Sequence, residues 1–123
     1  MIARTIDPIG QFVILHAFEH TSRRSVVRAL REVLGDASGQ SDRTLFVLTD
    51  MASFLDVFDC RTLRLIAQPR RAGWQTKRCA FVVPDRPASV MAEIVLHSLG
   101  IQSEHVQCYA TETLAREWLL IAR

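Results

Sequence analysis

The feature that most constrains this chain is its alternation of short unbroken apolar runs with longer stretches whose apolar residues recur every three or four positions. Leu45-Phe46-Val47-Leu48 and Cys79-Ala80-Phe81-Val82-Val83 are unbroken. A strand with one wet face would alternate apolar and polar residues, so such runs imply strands covered on both faces, as in a parallel sheet. Helical stripes come between them. The first follows Thr21, a suitable N-cap, gathers Val26, Val27, Leu30, Val33 and Leu34 on one side, and stops at Gly35. Strands alternating with helices in this way build layered α/β domains joined by right-handed crossovers.

Ile2 to Asp7 and Gln11 to Phe18 are β-rich runs separated by Asp7-Pro8-Ile9-Gly10, so a hairpin opens the chain and its first strand runs antiparallel. A second helix is expected from Asp56, burying Phe58, Leu65 and Ile66 and ended by Pro69. After the loop Pro84-Asp85-Arg86-Pro87, a third carries Val90, Met91, Ile94, Val95 and Leu99 and closes at Gly100. His105 to Ala110 reads as a short strand. A fourth helix opens at Thr111, holds Glu112 where the helix dipole favours negative charge, and presents Leu114, Ala115, Trp118, Leu119 and Ala122 as its stripe. The predicted architecture is a single α/β domain over residues 1–123, a mixed, mostly parallel five-stranded sheet with four helices in the order ββαβαβαβα.

A chain of 123 residues can bury a core without a disulfide or metal staple. Its longest apolar stretches, such as Phe12 to Leu15 and Ala80 to Val83, fall far short of the ~20 residues that span a bilayer, so no membrane insertion is expected. The opening Met1-Ile2-Ala3-Arg4-Thr5-Ile6-Asp7 lacks a basic region followed by an apolar run, which predicts a cytoplasmic location. Cys60, Cys79 and Cys108 are odd in number and have no CxxC spacing, so they are expected to be reduced thiols. A net charge of +2 is too small to imply a nucleic-acid partner. Lys77 is the only lysine beside many arginines, a bias that suits bidentate anion contacts but more often reflects coding bias.

After the third strand the chain reads Thr49-Asp50-Met51-Ala52-Ser53-Phe54-Leu55-Asp56-Val57-Phe58-Asp59-Cys60. Here, and in its order of elements, it resembles the STAS family (sulfate-transporter and anti-sigma-factor-antagonist domains). That family carries Phe-Met-Asp-Ser-Ser-Gly at this place, and its first serine is phosphorylated in anti-sigma-factor antagonists. Ala52-Ser53-Phe54-Leu55-Asp56 follows the approach to the motif, and Val57 stands where the serine would. Valine has no hydroxyl, so it cannot carry the charge switch that phosphorylation provides. The chain is thus similar to the SpoIIAA-like branch of the superfamily. The resemblance implies a superhelical run of strand-helix turns that docks a protein partner or holds a small ligand.

Asp50, Ser53, Asp56, Val57 and Asp59 are the candidate partner- or ligand-binding residues, since an open α/β sheet binds at the carboxyl ends of its strands. Helix capping accounts more simply for Asp56 and Asp59. Thr21, Arg23 and Arg24, followed by Arg28 and Arg31, form a candidate anion contact, because arginines in a first turn oppose the helix dipole and an anion would relieve them, although a solvated face is the simpler account. His16-Ala17-Phe18-Glu19-His20 matches H-x-x-E-H, a zinc-protease pattern that works only on a helix. In a strand at ~3.3 Å per residue its histidines stand ~13 Å apart, too far for one zinc ion. That reading leaves a half-buried His16 and a loop His20. Cys60 with Arg61 and Arg64 would make a reactive thiol at a helix start, but it lacks the C-x5-R phosphate loop, and a packed cysteine is the simpler account.

The sequence thus predicts a non-enzymatic regulatory or protein-binding module without cofactor or metal, with a protein partner and self-association as a homodimer. The alternative is a carrier or sensor of a small apolar or anionic ligand, which would need a sizeable pocket of apolar residues with a few arginines.

Overall fold

The opening hairpin sets the first edge of the sheet. Strand β1 (Ile2–Asp7) pairs antiparallel with β2 (Phe12–Glu19), setting Ile2 opposite Ala17 and Asp7 opposite Phe12. Strands β3 (Arg43–Met51), β4 (Arg78–Val82) and β5 (Val106–Tyr109) each join the preceding strand in parallel, so the order in space is the order in sequence, β1-β2-β3-β4-β5. Helix α1 (Arg23–Gly35) follows β2 and helix α2 (Glu112–Ile121) follows β5. The computed structural model describes residues 2–8, 12–35, 42–51, 61, 77–83, 93, 97 and 105–121.

Because successive strand residues point to opposite faces, the unbroken runs feed two cores. Val13, Leu15, Phe46, Leu48, Cys79, Phe81, Val83, Val106 and Cys108 join Val26, Leu30 and Val33 of α1 on one side. Phe12, Leu45, Val47, Ala80 and Val82 join Ala115 and Leu119 of α2 on the other. Phe46 and Phe81 are register partners whose rings lie 5.9 Å apart. The strand entries are tied as well. Arg78 N–H donates to the Asp42 carbonyl at 2.8 Å, and Lys77 Nζ, almost fully buried, donates to the Asp42 carboxylate at 3.0 Å.

The mixed, mostly parallel five-stranded sheet with an antiparallel first strand is as expected. The four helices are not: the described residues form two, α1 and α2. Most of the segments expected to be the second and third helices, from Asp56 to Pro69 and from Val90 to Gly100, lies outside the described residues, although Arg61, Glu93 and His97 have helical backbone. An apolar spacing shows which face of a helix could be buried but not what that face meets, and among the described residues α1 and α2 are the helices whose stripes meet the sheet. Boundaries also move: β3 continues past Leu48 to Met51, and β5 is shorter than the run from His105 to Ala110. No described helix is long and apolar enough to cross a membrane.

Candidate functional site

The site is built where β2 turns into α1. The β2–β3 register shifts between His16 and Phe18, and Glu19 takes φ 38°, the left-handed region that non-glycine residues occupy at a cost of about 1–2 kcal/mol. Thr21 N–H donates to the Phe18 carbonyl at 3.0 Å, closing the reversal. The Thr21 hydroxyl donates to the same carbonyl at 2.6 Å and accepts from Phe18 N–H at 3.2 Å. Thr21 is therefore a buried clasp rather than the cap of α1 or an anion contact. Ser22 caps instead, its Oγ accepting from Ser25 N–H at 3.2 Å.

This clasp aims α1 so that Val26, Leu30 and Val33 enter the core while Arg24, Arg28 and Arg31 stay exposed. Arg23, Arg24, Arg28 and Arg31 line one open groove of about 820 Å³, with Val27 the apolar residue among the described residues of its lining. Arg61, remote in sequence, lines the same groove, and Glu32 is the acidic residue among the described residues of the lining. Helix α1 has no acidic residue in its first turn. Among the described residues, no ion pair joins Arg24, Arg28, Arg31 or Arg61 to a carboxylate. Arginines three and four apart on a helix repel one another, and the first-turn pair also opposes the dipole. The arrangement concentrates positive charge in a concave surface, suited to hydrogen-bond carboxylates or phosphates in a bidentate manner.

The structure thus brings Arg23 and Arg24 together as a candidate site and removes Thr21 from it. Sequence reasoning set Arg61 beside Cys60 and not with the α1 arginines, since its approach to α1 is tertiary. Asp50 is a residue of β3 paired with Phe18. Ser53, Asp56, Val57, Asp59 and Cys60 lie outside the described residues.

His16 is half-buried in β2 and stacks on Phe18 with ring centroids 4.2 Å apart, while His20 is exposed in the turn. The H-x-x-E-H run is therefore strand and turn, not helix. Cys79 and Cys108 are free and buried on the α1 side of the sheet. Burial pushes the Cys79 thiol far up, with the neighbouring Cys108 adding to it. Burial and then the Glu93 carboxylate push Cys108 up to about 12. Glu93 also accepts from Cys108 N–H at 3.0 Å. Both thiols are poor nucleophiles, because the thiolate is the reactive form.

No protein-family model matches the chain, and no curated protein matches it.

Proposed function

We propose that this chain is a non-enzymatic regulatory module of STAS-like type, acting in the cytoplasm, that docks an acidic protein surface on the exposed face of α1. The observation that carries the reading is the gathering of Arg23, Arg24, Arg28, Arg31 and Arg61 around one groove. Two further features support it. The sequential strand order with an antiparallel first strand suits the resemblance on which the module reading rests. The buried, protonated thiols suit a reducing compartment.

The groove also weighs between the two expected classes of partner. A carrier of an apolar ligand needs an apolar lining, and among the described residues of the groove Val27 is the apolar one beside five arginines. A charged protein surface needs only complementary charge and access. The module carries no serine at position 57, so the proposed contact is governed by partner concentration and ionic strength rather than by phosphorylation there. The test is direct titration with poly-L-glutamate at low salt. The unaltered chain should bind, and Arg24→Glu combined with Arg28→Glu should weaken binding by at least ~10-fold, or about 1.4 kcal/mol, while circular dichroism stays unchanged. Equal binding by both proteins would refute the reading.

A further inference from the structure

We infer that the groove takes an acidic helix of the partner, laid along the stripe formed by Arg24, Val27, Arg28 and Arg31. This rests on the docking reading above and specifies its occupant. Positions 24, 27, 28 and 31 follow the i, i+3, i+4, i+7 pattern, the row of neighbours against which a second helix packs. At ~1.5 Å per residue the stripe runs ~10 Å, or about two turns, and a helix ~10 Å across fills on the order of 800 Å³ over that length. The groove offers about 820 Å³.

Its chemistry is graded along the stripe. Val27, 7% exposed, sits where the stripe meets the core and offers one small apolar contact. Arg24 stands a turn before it and Arg31 a turn after. The complementary surface is a helix with one central apolar side chain and carboxylates one turn to each side, each able to accept a guanidinium fork. A single-stranded nucleic acid fits less well, since such strands need aromatic platforms for their bases. Among the described residues the groove lining holds no aromatic side chain, and Glu32 opposes a phosphate chain. A lone small anion would meet one or two guanidiniums and leave the rest of the ~10 Å row uncompensated.

The experiment uses the full chain with three labelled probes beside poly-L-glutamate, read by anisotropy and circular dichroism. One probe is a blocked peptide with glutamates one turn either side of a central leucine. The second has the same composition with its glutamates spread around the helix, and the third is an oligothymidine strand. The in-register peptide should bind at least ~10-fold tighter than its control and gain helicity on binding. Arg28→Glu should weaken it, and a peptide with arginine at the facing position should restore binding to that variant. Equal binding of the two peptides would overturn the helical occupant alone. Absence of binding by every probe, poly-L-glutamate included, or tighter binding of the oligothymidine, would overturn the docking reading as well.

Discussion

Helices α1 and α2 cover opposite faces of one sheet, and they treat arginine in opposite ways. In α2, Arg116 donates to the Asp7 carboxylate at 2.7 Å and to Glu112 at 2.9 Å, and its guanidinium lies 5.4 Å from the Phe12 ring centre. Burial works against its charge, yet the hydrogen bonds to Glu112 and Asp7 outweigh that and raise its pKa. Thr111 Oγ1 accepts from Leu114 N–H at 3.3 Å, and Glu112 in the first turn suits the dipole. The arginine of α2 is thus paired within the fold. Helix α1 is apolar where it meets the sheet, and on its solvent face Arg24, Arg28 and Arg31 form no ion pair among the described residues. Charges that close on themselves hold a structure together, whereas charges kept close without partners are available to something outside it.

The largest effects should show where the comparison does not apply, in the cores. Leu30 of α1 and Leu119 of α2 are both fully buried. Leu30→Ala and Leu119→Ala should each lower unfolding stability by about 2–5 kcal/mol in urea titrations. A loss below about 1 kcal/mol for Leu30→Ala alone would mean that α1 is loosely attached, and its groove could not be treated as a fixed surface.

Alkaline pH should then separate the faces. Cys79 and Cys108 belong to the core beneath α1, and burial raises both thiols above the ordinary cysteine value of 9.0. The folded state therefore retains these protons at pH values where the unfolded chain releases them. The thiols' contribution is fully present below about pH 9 and is lost as pH climbs toward about 12. Each thiol can add a slope of up to about 1.4 kcal/mol per pH unit over that window. Cys79→Ala combined with Cys108→Ala should flatten the fall in stability above pH 9, even if the variant is less stable at neutral pH. An unchanged slope would show that the thiols are not protected by burial.

What the sequence could reveal of this arrangement depended on the range of each interaction. Val26, Leu30 and Val33 were legible because one-sided burial needs only local spacing, and β3 and β4 were legible because burial on both faces leaves no polar positions. The cap was misplaced by one residue because Thr21 and Ser22 are both good caps. Only the turn reveals that the Thr21 hydroxyl is committed to Phe18. The Arg116–Asp7 pair spans 109 positions and exists because the antiparallel hairpin brings Asp7 opposite Phe12. Arg61 joins the α1 arginines by a tertiary approach with no local signal. The missing first-turn acid in α1 was the legible part of the site, and it marked the helix that carries the groove.

The smallest effect is the sharpest test, because the two helices should answer with opposite signs. Arg116→Met removes a partly exposed guanidinium that two carboxylates and a ring engage. Its loss should lower stability by about 1 kcal/mol, the usual worth of a partly solvated network. Methionine keeps much of the aliphatic stem and is a good helix former, so the change falls mainly on charge. Arg28→Met is the same substitution on α1, where residue 28 stands one turn from Arg24 and from Arg31. It should leave stability unchanged or raise it by about 0.2–0.5 kcal/mol by relieving like-charge repulsion, with a gain that shrinks as salt screens the pair. Parallel denaturant titrations at low and high salt read both variants. If Arg28→Met destabilised the chain as much as Arg116→Met, the α1 arginines would be holding the fold, and the groove would lose its claim to an outside partner.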